Sequence, residues 1–407
     1  MIELTAGPWG NGGICACRQV DGPVVLVSGA VPGERVAAEV TGRARSYWRA
    51  RVVEVLEPSP DRVEPVWPEG LAVGAADWLH LAPQAARVAK ADIVAGLLGR
   101  ALGRPVGLAV EPVGGGLVLG WRAKIELAVD DQGRAGMFEA GSRRHRPLES
   151  MPLAVPAIGR LGLFDRRWPP GSRLTAVAPS LGEAFCLPDA AVSARRRREV
   201  VAAGGREHFY ELAADGFWQA HWAAPRTLVE AVLAALEPAA GQVIWDLYAG
   251  AGLFTLPLAA AGARVSAVEG SRRAVADLRA NVGRAGLELD RAQAAGVGAA
   301  LRAAKGSAMG SAKGTAKGWD KPDAVLLDPP RAGAGRAVMA AVVAAAPARV
   351  AYLACEPAAL ARDLAALTAG GYGLVQLRAF DLFPGTHHVE VLAVAERARD
   401  GLYDWRS

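Results

Sequence analysis

From Val24 to Pro58 apolar and polar residues alternate in short runs, VVLVSGAVPGERVAAEVTGRARSYWRARVVEVLEP, with turn pairs at Asp21-Gly22 and Pro32-Gly33. A period of two broken by Gly and Pro predicts strands. Five short strands of this kind within residues 1–57 predict a small barrel. Pro58-Ser59-Pro60-Asp61 and Pro65 then predict a stiff linker. Residues 77–103 read as an amphipathic helix, and residues 117–150 return to strands. From Phe217 onward apolar strand runs alternate with helical runs, which predicts a parallel sheet covered on both faces. One stretch breaks the alternation: AAKGSAMGSAKGTAKGWDK, residues 303–321, repeats Ala-Lys-Gly units and predicts a flexible loop without chemistry. The expected division is therefore 1–58, a β-barrel; 59–210, a central mainly β domain whose helix 80–104 packs on the catalytic part; and 211–407, an α/β domain.

Composition narrows the class. Of 407 residues, 52% are hydrophobic, enough for a large core. No apolar run reaches the roughly 18–20 residues of a membrane span, and MIELTAGPWGNGG has no basic start before an apolar stretch, so neither a membrane anchor nor a secretory leader is expected. Four cysteines, Cys15, Cys17, Cys186 and Cys355, are too few for a disulfide scaffold in so long a chain, which fits a reducing cytoplasm. The pair Cys15-Ala-Cys17 lacks further ligands at metal spacing. A net charge of +5 permits a polyanionic partner without requiring one.

Three basic features could face phosphates. Arg43, Arg45, Arg49 and Arg51 interleave with Tyr47 and Trp48, as a groove for single-stranded RNA would. An ordinary solvated barrel face fits that segment equally well. Arg143, Arg144, His145 and Arg146 form a second run, and Arg195–Arg198 a third, behind Ser193 as a helix cap. Charge runs of this kind are more often plain solvated surface.

The candidate chemistry lies in the last part of the chain. VIWDLYAGAGLFTLPLA, residues 243–259, reads strand, glycine turn, helix; Gly250 and Gly252 let the backbone approach a ligand. Seventeen residues after Gly252 the strand ARVSAVEG ends in Glu269, an acid able to accept from two ribose hydroxyls. A nicotinamide cofactor would suit the same spacing, but Thr255 stands where that fingerprint has its third glycine. In AVLLDPPRAG, Asp328 ends a strand and two prolines stiffen the exit, aiming the acid into the crevice. Cys355 ends the next strand, with Pro357 in the first turn of a following helix whose dipole would favour a thiolate. If the two last strands form an antiparallel hairpin around PGTHH, Glu390 starts the reversed strand at the same sheet edge. A Cys, a Glu and an Asp on one crevice suit methylation at carbon 5 of uracil. That carbon becomes nucleophilic only after a thiolate adds at carbon 6, and a base must later remove the carbon-5 proton.

At these residues the chain resembles the RNA 5-methyluridine (uracil-C5) methyltransferases. The resemblance is carried by FWQ at 217–219, DLYAGAGLFTL, DPPRAG, ACEPAALARDL and FPGTHHVE. It implies a TRAM-like, OB-like RNA-binding barrel, a central domain and a Rossmann-like class I methyltransferase domain using S-adenosyl-L-methionine on rRNA or tRNA. It implies Cys355 as nucleophile and Glu390 as proton acceptor, with Gln219, Tyr248, Gly250, Glu269 and Asp328 around the cofactor or target base. A monomer is expected. The chain departs from the family in four places. Ala354-Cys355-Glu356-Pro357 replaces Ser-Cys-Asn-Pro. Leu253 replaces an Asn. No acid follows the third strand near Gly296 and Val297. The four cysteine positions of the family's iron–sulfur cluster hold Trp67, Val73, Ala76 and Met151, so no cluster is expected. Two alternatives stay open on sequence: a non-catalytic RNA-binding member, and a methyltransferase acting on another substrate.

Overall fold

The N-terminal strands put small apolar side chains on one face, and that face curls around its own core. In the computed structural model, which describes residues 1–18, 22–307 and 319–398, six strands form this sheet. Their order is Ile2–Thr5, Arg35–Arg43, Tyr47–Glu57, Val24–Ser28, Ile14–Arg18 and Trp9–Gly10. Cys15, Cys17, Val25, Val27, Val36, Ala38 and Ala50 fill the inside. The sixth strand, beyond the five expected, is Trp9–Gly10, two residues long and too short to leave a periodic signal. Of the two turn pairs, Asp21 lies outside the described residues and Gly33 takes φ 87.

The central segment builds an antiparallel sheet of five strands between Lys124 and Pro188. Its helix runs Pro83–Leu102 and not from 77. Proline at the first helical position holds Ala82 extended (ψ 138), so residues 77–82 turn instead and bury Trp78, Leu79 and Leu81. Ala86, Ala89, Lys90, Ile93, Val94 and Leu98 make the helix's buried face. Val94 and Leu98 pack into the catalytic core with Tyr352, Leu360 and Leu364.

The basic run behind Ser193 is a correction. Ser193 ends the short helix Asp189–Val192, and Arg196–Ala203 is a strand paired with Arg206–Ala213. The stretch RRREVVAAGGREHFYELA alternates with period two across Gly204 and Gly205, whose φ values of 59 and 72 make the tight hairpin turn. Arg196 and Arg197 are spent internally, on Asp277 and Glu211 and beside Glu199.

The catalytic sheet has eight strands in the order Arg291–Ala294, Arg264–Glu269, Val243–Leu247, Ala324–Leu327, Arg349–Ala354, Glu390–Arg397, Tyr372–Asp381 and Val110–Pro112. The first five are parallel, and Glu390–Arg397 runs against both its neighbours. Central strands are buried throughout, as helices on both faces require. The last strand comes from the central segment, which thereby extends the catalytic sheet. The predicted loop at 303–321 is corrected at its start: helix Val297–Ser307 runs into it, since Ala, Leu, Arg and Lys are good helix formers. Residues 308–318 of that prediction lie outside the described residues.

A buried ion pair joins the segments. Lys90 Nζ meets Asp381 Oδ1 at 2.6 Å, with both side chains enclosed. Lys90→Met leaves a buried carboxylate alone and is expected to cost about 3–5 kcal/mol in urea unfolding, whereas Lys90→Met with Asp381→Leu recovers most of the loss.

Candidate active site

Strand Val243–Leu247 delivers the glycine turn. Tyr248 follows at φ 70, a conformation uncommon for a residue with a Cβ and a mark of functional turns. The Tyr248 and Ala249 N–H groups both donate to Val268 O, at 2.8 and 3.0 Å, tying the turn to the adjacent strand. Gly250 faces open space, with nothing within 4 Å of a Cβ built there. Its N–H donates to Glu269 Oε2 (3.0 Å), and the Ser271 N–H donates to Glu269 Oε1 (2.7 Å). The carboxylate is thus fixed with lone pairs to spare for ribose hydroxyls. Open room at Gly250 beside a fixed acceptor fits S-adenosylmethionine at the switch point of the sheet. Leu253, in the place of the family's Asn, is in the core.

Next to this turn four carboxyl groups influence one another. Asp246 is fully enclosed, with Thr255 donating to one oxygen and the other unpartnered among the described residues. Burial, with the Glu269 charge adding, pushes Asp246 up to about 7. Burial and the Asp246 charge push Asp328 up to about 7. Burial and the Asp328 charge push Glu390 well above the usual carboxylate range. Sheet order is the cause: these acids stand at the carboxyl ends of neighbouring parallel strands, and Glu390 begins the antiparallel one at the same edge.

Cys355 joins them, half-buried, one residue beyond strand Arg349–Ala354. The expected thiolate is corrected here. Burial and then the Glu390 charge raise the thiol to about 11, with Arg331 pulling the other way. The helix that was to help, Pro357–Ala369, instead has Glu356 as its cap, accepting the Ala358 N–H at 3.4 Å. Glu356 also accepts from Asn11 Nδ2 (3.4 Å).

Gln219 stands apart from this cluster by its anchoring. It follows the hairpin, half-buried, between Trp218, which packs on Tyr210 with ring centroids 5.1 Å apart, and Ala220, whose carbonyl accepts the Ala123 N–H. A cleft of about 570 Å³ opens between the central sheet and the loop before Glu390, bordered by Trp121, Arg122, Lys124, Arg173, Arg331 and His388. Four cations and an aromatic floor suit a nucleotide. Three site residues went unread in the sequence: Asp246, Arg331 and His388. An acid inside the strand before a glycine turn, and an Arg directly after Asp-Pro-Pro, were available signals. His388 accepts at Nε2 from Arg331 Nη2 (3.1 Å), a pairing no local pattern announces.

The iron–sulfur positions do not fit a cluster. Trp67, Val73, Ala76 and Met151 are all buried in one apolar core with Ile125, Leu127 and Leu153, and none offers a thiolate.

With this geometry in view, relatives become informative. Residues 191–397 match the family described as tRNA (uracil-5-)-methyltransferase. An uncharacterized RNA methyltransferase of Streptomyces avermitilis is 36% identical, covering 98% of this chain and 99% of its own. The chain belongs to the tRNA (uracil-5-)-methyltransferase family. It is an RNA (uracil-C5) methyltransferase that depends on S-adenosylmethionine. A family member from Alkalilimnicola ehrlichii, named 23S rRNA (uracil(1939)-C(5))-methyltransferase RlmD, is 31% identical, covering 93% of this chain and 92% of its own. The fold is shared with Pyrococcus abyssi tRNA (uracil-54, C5)-methyltransferase in complex with S-adenosyl-L-homocysteine, at a TM-score of 0.67 and 19% identity over 97% of this chain and 99% of that one.

The carboxylate row makes a stability prediction. An aspartate ionises near about 4 in an unfolded chain, but Asp246 does so at about 7 in the folded one. Folded protein therefore binds more protons over that window, and stability falls as pH rises through it. Ligand-free Asp246→Asn is expected to melt above the parent at pH 8, with the gap closing below pH ~4. Equal differences at both pH values would refute the buried charge.

Proposed function

We propose that this methyltransferase works through a covalent adduct between Cys355 and carbon 6 of a uridine in rRNA or tRNA, with Glu390 as the base that completes the reaction. The observation that carries this reading is the meeting of Cys355, Glu390 and Asp328 at one sheet edge, where both acids raise the thiol and Asp328 raises Glu390.

The chemistry follows from the residues. The Cys355 thiol gives up its proton to solvent water and the sulfur bonds to carbon 6, which moves an electron pair onto carbon 5. Arg331 is the cation on this chain that favours the thiolate. Gly250, Glu269 and Asp328, with Tyr248 and Gln219 beside them, would hold S-adenosylmethionine, whose sulfonium methyl would pass to carbon 5 as its bond to sulfur breaks, leaving S-adenosylhomocysteine. Glu390 then takes the proton from carbon 5, and the electron pair left there expels the Cys355 sulfur. A carboxylate whose pKa is raised is a stronger base for that task. Enclosure at 5% exposure keeps water from competing for the proton.

RNA reaches this crevice as a flipped nucleotide. On the barrel, Arg43 lies over the Trp48 ring at 4.5 Å and Arg49 over Tyr47 at 5.6 Å, a stacking surface with positive charge. Phe217 is 76% exposed at the start of the segment carrying Gln219. The A. ehrlichii relative acts on 23S rRNA by its name, and the P. abyssi protein on tRNA by its title; both classes remain in this proposal. Free cysteines fit work in a reducing cytoplasm.

The reading is tested by incubating the enzyme with 5-fluorouridine RNA, which cannot lose its carbon-5 substituent as a proton. A denaturant-stable adduct is expected with the parent and none with Cys355→Ala, which also loses methyl transfer by at least about 10³-fold. Glu390→Gln is expected to accumulate adduct on ordinary RNA. Methyl transfer surviving in Cys355→Ala would overturn the covalent route, and RNA binding without methyl transfer would favour a non-catalytic member. Mapping 5-methyluridine in rRNA and tRNA from cells with and without the protein identifies the target.

A further inference from the structure

We propose that Asp77, from the segment ahead of the catalytic domain, is a positioning residue for the reaction: through His387 it sets the loop that carries His388 and Glu390. This rests on the covalent route above, in which Glu390 must stand at carbon 5.

Glu390 is preceded by a loop, residues 382–389, whose residues are all buried or half-buried and whose place is not set by strand pairing. Instead, groups from residues 77–90 grip it at every second residue. Lys90 Nζ donates to Asp381 Oδ1 (2.6 Å) and to Phe383 O (3.2 Å). The Trp78 N–H donates to Gly385 O (2.9 Å). Asp77 takes the last grip with both oxygens: Oδ1 accepts the His387 N–H (3.2 Å) and Oδ2 pairs with His387 Nδ1 (2.5 Å). The barrel closes the arrangement from behind. Trp78 Nε1 donates to Gly13 O (3.0 Å), and a Cβ at Gly13 would stand 2.3 Å from that of His387.

From His387 the constraint passes to the reacting groups. Its ring lies against His388, with centroids 4.0 Å apart. His388 Nε2 meets Arg331 Nη2 at 3.1 Å. Arginine only donates, so His388 accepts there and is neutral; burial, His387 and Arg331 together pull it down to about 4. Arg331 is the cation acting on Cys355. Two residues past His388 the strand begins with Glu390. Asp77 therefore stands three contacts from Arg331, and its partner His387 three residues from the base.

The same geometry separates positioning from folding. The Asp77 and His387 side chains are 37% and 25% exposed. A pair this open adds little to global stability, so its loss is expected in turnover and not in melting. Asp77 and His387 also border the cleft beside Arg331 and His388, so RNA binding is measured separately from turnover.

Asp77→Ala is measured beside the parent for kcat, KM, melting and adduct on ordinary RNA. The expectation is a fall in kcat on the order of 10- to 100-fold, as for misplacement of a catalytic group by about 1 Å. KM for S-adenosylmethionine stays unchanged, the melting temperature is that of the parent, and adduct accumulates on ordinary RNA. Asp77→Asn restores most of kcat, because its Oδ1 accepts the His387 N–H and its amide donates to Nδ1 in the other tautomer. Unchanged kcat in Asp77→Ala, a loss matching the fraction unfolded, or no rescue by Asp77→Asn would overturn the assignment. The parent's own adduct on 5-fluorouridine RNA tests the covalent route separately; if it fails there, the kcat–KM split and the Asn rescue still decide the role of Asp77.

Discussion

Carboxyl groups crowded along one sheet edge set the terms for everything else in this molecule. Glu269, Asp246 and Asp328 belong to three adjacent strands, Glu390 stands at the same edge beyond strand Arg349–Ala354, and Asp246, Asp328 and Glu390 are raised by burial and by neighbouring charges. Like charges this close in a poorly solvated crevice cannot all ionise, so protons are retained near neutrality. That retention disfavours the folded state at alkaline pH and keeps Cys355 a thiol until ligands alter the crevice. The strain is what the site needs. Glu269 accepts from two backbone N–H groups, while burial and the Asp328 charge raise Glu390.

Such an edge works only if the loop before Glu390 is held, and the catalytic domain does not hold it alone. Helix Pro83–Leu102, the turn at 77–82 and the barrel residue Gly13 converge on it. The central segment also lends strand Val110–Pro112 to the catalytic sheet. Non-catalytic parts of the chain are thus structural members of the active site, in addition to any contact they make with RNA. The central domain itself is held by Trp67, Trp121, Met151 and their neighbours, which share one apolar core.

What residues alone determined was local and repetitive. The period of two gave the barrel strands, and the strand–glycine turn–helix order gave the class I domain. Short motifs around Gly250, Asp328, Cys355 and Glu390 marked strand ends that the fold brings to one sheet edge. Chain-local reading failed where two states were locally plausible. Arg195–Arg198 was read as following a helix cap when the two-residue turn at Gly204-Gly205 makes it a strand, and the helix expected from 77 waited for Pro83.

Tertiary structure alone decided ionisation and support. Whether Cys355 is a thiolate depends on Glu390, Arg331 and Asp328, which are far away in sequence and brought close by sheet order. The helix dipole foreseen for the thiol goes to Glu356 because the cap's own side chain reaches the first free N–H. Asp77 and His387 lie 310 residues apart and carry no motif that joins them. Electrostatic energy and loop anchoring are sums over neighbours in space, so a sequence can name the reacting groups but only the fold fixes their charge and place.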